Sequence, residues 1–242
     1  MLDDDSGSPA AAVSAKYANA DATVATTIAL NGERAMMLAV AAGLTVLPAS
    51  GAARAGDEAG DAVLAKVKAW TESKFVSFVQ NNKALNDEVV AANTARASWA
   101  AFTEDYKKWT PEDAEKNKNS YGYCEYVWSV KKDKEFRSKH TGAPSAKELK
   151  EFQDASGGVI SEFFVTDAKG GNVSQTQATS DWFQGDEPKF TDCATNGVVA
   201  YSKPKRDETT GETGVHVSVP LFDANKKLTG VAIVLVVAEK IK

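Results

Sequence analysis

Apolar positions recur at helical spacing over residues 59–106. Val63, Val67 and Trp70 share one stripe, Phe75 and Val79 continue it, and Leu85, Val89, Ala92, Trp99, Phe102 and Tyr106 resume it after Asn81-Asn82. The spacing predicts a long helix, or a helix pair, from Ala59 to Tyr106 with a break at the two asparagines, and Trp70 and Trp99 as core anchors. Thr110-Pro111-Glu112-Asp113 has the residues of a helix start: a capping threonine, proline at the first position and acids in the first turn. Ser145 followed by Glu148 reads as a capping box opening a helix with Leu149 and Phe152 on its apolar stripe, closed by Gly157-Gly158. Between these, Tyr121, Tyr123, Tyr126 and Trp128 fall within eight residues. Their spacing suits either an extended chain or a helix, and either aromatic packing or a pocket wall.

From Gly157 onward the period changes to that of strands. Phe163-Phe164-Val165 leads into the turn residues 167–171, and Asn172 to Gln175 returns as the second arm of a hairpin. A third strand is expected over 198–203, a polar connection over 203–214, and a half-buried strand over 215–222, where Val215, Val217, Val219 and Leu221 alternate with His216, Ser218, Pro220 and Phe222. Residues 230–238 are apolar on both faces, so this strand should be central and covered on both sides. Between the second and third strands runs Thr-Ser-Asp-Trp-Phe-Gln-Gly-Asp-Glu-Pro-Lys-Phe, residues 179–190, a polar and aromatic loop of the kind that carries binding groups on a rigid sheet.

The order hairpin, loop, strand, strand, strand resembles the extracytoplasmic Cache (PDC, PAS-like) sensor domains. The resemblance rests on F-F-V-T-D-A-K-G-G-N-V, T-S-D-W-F-Q-G-D-E-P-K-F, Y-S-K-P at 201–204 with D-E-T-T-G at 207–211, V-H-V-S-V-P-L-F-D from Val215, and L-T-G-V-A-I-V-L-V-V from Leu228. It implies an α+β fold: N-terminal helices on a five-stranded antiparallel PAS-like sheet over 157–240, the last strand mid-sheet, a single Cache unit. It places a ligand between the sheet and the loops after the second strand. Carried over by motif, Trp182, Tyr201 and Asp207 match the tryptophan, tyrosine and aspartate that hold the ligand in amino-acid-binding relatives. No arginine precedes Trp182; Thr179-Ser180-Asp181 stand there instead, so the usual clamp for a carboxylate is missing. Asp181 suits a cationic or hydroxyl-bearing ligand better. Asp186 and, from one strand face, His216 and Ser218 complete the candidate set.

Composition narrows the function. The 242 residues are 43% hydrophobic and 25% charged, with a net charge of -5, which suits one globular domain, or one plus extensions, and lacks the basic excess of a nucleic-acid binder. The cluster Lys131-Lys132-Asp133-Lys134 reads as a solvated face. With two histidines, His140 and His216, and no G-x-S-x-G, a nucleophilic triad has poor raw material. No C-x-x-C or H-x-x-x-H suggests a transition metal, and the oxygen-rich Asp181, Gln184, Asp186 and Glu187 lack calcium-loop spacing. No enzyme and no cofactor are expected.

Glu33-Arg34 before the apolar run 35–47, broken by Pro48 and Gly51 and followed by Ala53-Arg54-Ala55, reads as a signal peptide over 33–55 cleaved after Ala55. Residues 1–32 read as a disordered prefix or a mis-assigned start, and 56–242 as one exported, periplasmic or otherwise extracytoplasmic domain without its own output module. Cys124 and Cys193 are then either bridged, closing a loop worth roughly 4 kcal/mol, or two separate buried thiols. The expected partners are a small molecule and a separate membrane-bound signalling protein. The alternative is an interaction module dimerising through the N-terminal helices.

Overall fold

The computed structural model describes the backbone of residues 51–206 and 211–242 and the side chains from residue 58. The expected prefix and most of the signal peptide lie outside the described residues, and so does Asp207. Residues 56–242 form one compact unit.

The helical half is α1 (Gly51–Trp70), a π turn (Thr71–Phe75), α2 (Val76–Asn81) and α3 (Lys83–Ala95). The helix therefore starts before Ala59. The break at Asn82 is the expected one: its side chain accepts from Leu85 N at 2.9 Å and caps α3. The helix does not reach Tyr106. It ends at Arg96, and Ala100 bridges to Ser120 instead, through Ala100 N to Asn119 O at 3.0 Å and Tyr121 N to Ala100 O at 3.4 Å. Pairing with a distant segment overrides local helix propensity here. A 3₁₀ turn (Glu104–Lys108), the capped α4 (Pro111–Lys116), α5 (Tyr121–Glu125), a second π turn (Tyr126–Val130) and α6 (Lys134–Thr141) follow. The tyrosine cluster is thus helical. α7 (Pro144–Ala155) begins at Pro144, without the expected capping box. Ser145 instead donates its hydroxyl to Glu88, and Glu148 accepts from Asn82 Nδ2 at 2.7 Å, so both residues tie α7 to the preceding helices.

The sheet comprises β1 (Ile160–Asp167), β2 (Asn172–Gln175), β3 (Ala200–Tyr201), β4 (Lys205–Arg206), β5 (Thr213–Phe222) and β6 (Leu228–Val237). Its order is β2-β1-β6-β5-β3, with β4 also on β5, antiparallel throughout. The last strand is central, as the PAS-type resemblance implies. Among the described residues six strands stand where five were expected because the third is interrupted at 202–204; Pro204 has no N–H to donate to the ladder.

Both faces of β6 are covered. Ala232, Val234 and Val236 join Phe163, Val165, Val215, Val217 and Val219 against Val67, Phe75, Val79, Leu85, Val89 and Leu149 of the helices. On the other face Val231, Ile233 and Phe164 pack on Phe190 and Cys193 of α8 (Pro188–Asn196). α8 stops at Gly197, which takes the left-handed φ of 64° that caps a helix without a Cβ penalty.

The cysteines are not bridged. Both are free and buried, Cys124 in an aromatic cluster with Tyr121, Trp128, Trp182 and Phe183, Cys193 on the face of α8 that packs on Phe164, Val231 and Ile233. Each is packed as a small hydrophobe in a different cluster, so sequence spacing had no bearing on proximity. Burial pushes each thiol up to about 12. Neither thiol is expected to react with an aromatic disulfide reagent in native protein, and both are expected to react once urea unfolds it; fewer than two reactive thiols after unfolding would restore the bridge.

Candidate functional site

The loop between β2 and α8 folds back on the hairpin that precedes it. Asn172 N donates to Trp182 O at 3.1 Å and Gln184 N to Gly170 O at 2.8 Å, so 182–184 run antiparallel beside the turn. Gly171 is required there, since a Cβ would stand 2.5 Å from the Trp182 ring. Asp167 shapes the turn: its Oδ1 accepts from Lys169 N at 2.8 Å and Gly171 N at 3.0 Å.

Trp182 is the centre of this layer and is fully buried. Its Nε1 donates to His140 Nε2 at 2.8 Å, and His140 Nδ1 lies 2.9 Å from Phe136 O. That pair of partners assigns the neutral imidazole with the proton on Nδ1. Tyr121 stands 5.8 Å away, and the Arg96 guanidinium lies 5.0 Å over the indole. Arg96 comes from the end of α3. Its Nη1 reaches Asp167 Oδ2 at 2.8 Å and Gly171 O at 3.2 Å, and its Nη2 reaches Asn172 O at 3.1 Å. Tyr121 Oη donates to the same Asp167 Oδ2 at 2.8 Å. Arg96 therefore occupies the neighbourhood of the tryptophan where the sequence lacks an arginine, but its donors are engaged by the hairpin.

Glu125 clamps the loop from the other side. Its Oε2 accepts from Trp182 N at 2.8 Å and Phe183 N at 2.7 Å, and its Oε1 accepts from Ser129 Oγ. It is 1% exposed, and burial raises its pKa above the ordinary carboxylate range.

Beneath the loop lies a network of amides. Asn172 Nδ2 donates to Gln175 Oε1 at 3.0 Å, Thr179 Oγ1 at 3.0 Å and Asp181 O at 3.4 Å, and Gln184 Nε2 donates to Asp181 O at 2.8 Å. The carbonyl of Asp181 can only accept, which sets the orientation of both the Asn172 and Gln184 amides, and that of Asn172 sets Gln175 in turn. Asn172 Oδ1, Gln175 Nε2 and Gln184 Oε1 are then left with no hydrogen-bond partner among the described residues, and so is Ser174 Oγ; all four side chains are fully buried.

The expected site residues do not converge. Trp182 is held in the layer just described. Asp181 and Asp186 line a cleft on the outer side of the loop, of about 190 Å³, with Phe102, Glu104, Tyr106, Lys107, Glu125, Phe183 and Glu187. Tyr201 packs with the helix-side core, under Lys68 at 5.5 Å. Ser218 donates to Lys189 O at the start of α8. His216 lines a separate cavity of about 300 Å³ with Ser202, Lys203, Lys205, Arg206, Gly214 and Leu235. Sequence reasoning missed Arg96, Glu125, Asp167 and His140 as parts of the layer around the loop. A visible signal was a charge embedded in apolar sequence, as in A-R-A-S-W and Y-C-E-Y-V-W.

Burial lowers the pKa of His140 to about 4. The folded value lies below the unfolded one of about 6.5, so as the pH falls the unfolded chain takes the proton first. Stability from this group is complete above about pH 6.5 and is lost toward pH 4, by at most about 1.4 kcal/mol per pH unit. Urea unfolding at pH 7 and 5 should show a steeper loss in the native protein than in His140→Gln; equal slopes would refute the assignment.

No protein-family model matches the chain, and no curated protein matches it. Among solved structures it is similar to the sensor domain of the V. cholerae histidine kinase DctB, at 12% identity and a TM-score of 0.35 over 78% of this chain and 58% of that one. It is similar to the ligand-binding domain of the Pseudomonas aeruginosa PAO1 amino acid chemoreceptor PctC in complex with GABA, at 12% identity and 0.30 over 65% and 64%. The ligand-binding domain of the Campylobacter jejuni chemoreceptor Tlp3 in complex with 4-methylisoleucine gives 11% and 0.31 over 68% and 64%. The chain spans less than two thirds of the length of each. Likeness of this degree carries no argument about ligand or activity.

Proposed function

We propose that this domain is a small-molecule-binding, sensor-type module whose ligand engages the amide network beneath the loop 179–187. The observation that carries the reading is the set of unpartnered amide atoms on Asn172, Gln175 and Gln184. Buried polar groups are nearly always paired, because each one left unpaired costs about 1–3 kcal/mol. Two acceptors and one donor, fixed in orientation and held on β2 and the loop, are the complement of a small polar molecule carrying both donor and acceptor groups. The unpartnered atoms are themselves uncharged amide groups, and the Arg96 guanidinium beside Asn172 O is already paired with Asp167, so the network favours an uncharged ligand over an amino-acid carboxylate.

The loop is tied to β2 by Asn172, to α5 by Glu125 and to α6 by the Trp182–His140 bond, so a ligand that shifts the loop moves these elements together. The bound state would pass from there to a membrane-bound signalling partner, with the domain outside the cytoplasm. Among the described residues no helix is long and apolar enough to cross a membrane.

The test is thermal unfolding against a library of uncharged polar metabolites, since a ligand that binds only the native state raises the midpoint. At one hundred times its Kd a ligand stabilises by about 2.7 kcal/mol. Gln175→Leu should abolish the shift while the protein still unfolds cooperatively. A shift that survives in Gln175→Leu, or a library without any uncharged hit, overturns the reading.

A further inference from the structure

On the sensor-type function proposed above, we infer that the ligand beneath the loop is of the urea type: a carbonyl flanked on both sides by N–H groups. A bulge builds the site. Val165 pairs with Ser174 and Thr166 with Asn172, so Val173 is an extra residue in β2. In a regular strand residues three apart face opposite ways. The extra residue turns Asn172 and Gln175 to one side, where Asn172 Nδ2 donates to Gln175 Oε1 at 3.0 Å. Val173 itself packs against the helix-side core. Bulges recur beside functional sites because they re-aim side chains in this way.

A hydroxyl fixes the direction of the amides independently. Thr179 Oγ1 donates its one proton to Asp181 O at 2.6 Å, so toward Asn172 it can only accept. Asn172 Nδ2 is therefore the donor to it, and Oδ1 is the open end of that amide. The link from Asn172 then leaves Gln175 open at Nε2, and the bond from Gln184 Nε2 to Asp181 O leaves Gln184 open at Oε1.

The open positions match one kind of molecule. An amide oxygen has two lone pairs and an amide nitrogen two protons, so Asn172 Oδ1 and Gln184 Oε1 together accept four hydrogen bonds and Gln175 Nε2 donates two. Urea is the inverse, with four N–H groups and a carbonyl oxygen that accepts two. The Ser174 hydroxyl both donates and accepts, and adapts to its neighbour. The three amide side chains are fully buried, so a polar group left unpaired between them finds no water. A polyol gives one proton per hydroxyl and brings two lone pairs with each, more than Gln175 and Ser174 satisfy. A carboxylate brings no proton to the two open oxygens. Guanidinium brings only protons and leaves Gln175 Nε2 without an acceptor.

The experiment is calorimetric titration of the full chain with urea, acetamide, glycerol, acetate and guanidinium at millimolar concentration, far below the molar range in which urea and guanidinium unfold proteins. Urea is expected to bind tightest, acetamide roughly tenfold more weakly because it lacks one NH₂, and the other three not at all. Gln175→Glu tests the placement. It keeps an oxygen for Asn172 and replaces the open donor by an acceptor of the same size, so it should weaken urea at least about tenfold and admit guanidinium. Circular dichroism and the unfolding midpoint check that this variant folds; if it does not, loss of urea binding in Gln175→Leu is the same test. Urea affinity unchanged in both variants overturns the placement, and acetate or guanidinium binding the native protein as tightly as urea overturns the ligand class. Glycerol binding in place of urea, and lost in Gln175→Leu, overturns the ligand class while the sensor-type reading stands. No binding by any uncharged compound removes both.

Discussion

Arg96→Met is expected to destabilise the domain by about 3–5 kcal/mol, because it strands a charge. Asp167 is fully buried, and Arg96 is the one cation paired with it among the described residues. Methionine matches the aliphatic stem but supplies no donor, so it leaves Asp167 with Tyr121 and two backbone N–H groups and leaves Gly171 O and Asn172 O without the guanidinium. It also removes the cation from the faces of Trp99 and Trp182, at 5.6 and 5.0 Å. Chemical denaturation gives the number. The double variant Arg96→Met/Asp167→Asn should recover part of it, since the neutral amide no longer needs a countercharge. A loss under about 1 kcal/mol in the single variant would put the pair in the class of exposed ion pairs and remove Arg96 as the clamp of the hairpin.

Trp182→Ala should cost about 3–5 kcal/mol, the range for emptying a buried aromatic site. The indole fills the space that Gly171 leaves, touches the Tyr121, Phe136 and His140 rings, and is buried entirely. The cavity opens in the layer that joins α5, α6 and the loop, so the damage should not stay local. Trp182→Phe separates two contributions. It keeps most of the apolar area and deletes the hydrogen bond to His140 Nε2, leaving a buried acceptor unpaired at a cost of about 1–3 kcal/mol. If Trp182→Ala unfolds at the same denaturant concentration as the native protein, the indole is not the structural centre assigned to it. This result would also return Trp182 to the role of a pocket wall.

Both variants probe the loop that carries residue 182. Its exceptional character was legible: tryptophan beside aspartates and glutamate between glycine and proline is not the composition of a simple reversal. The role of the tryptophan was not. From sequence an indole in a loop faces a ligand or packs a core, and the choice depends on what lies across from it. Here that is His140 and Arg96, 42 and 86 residues away in the chain by their numbering. Tyr201 shows the same limit from a strand: the resemblance offered it as a ligand contact, but it packs against the helix-side core with Lys68 of α1 over its ring. The expected capping box at Ser145 failed for the same reason, since Glu88 and Asn82 offered its two polar groups tertiary partners.

What the amino-acid order by itself determined is what depends on period and on local stereochemistry. The two-fold repeat set β5 and the hairpin, the unbroken apolar run made β6 central, and Asn82, Thr110 and Asp167 punctuated the chain through their own neighbouring backbone. Only the tertiary structure decided which polar groups meet. The Arg96–Asp167 pair, the Glu125 clamp and the unpartnered amides each join segments far apart in the chain or depend on neighbours that do. Period says which side a residue faces; it carries no information about the partner that burial then obliges it to find.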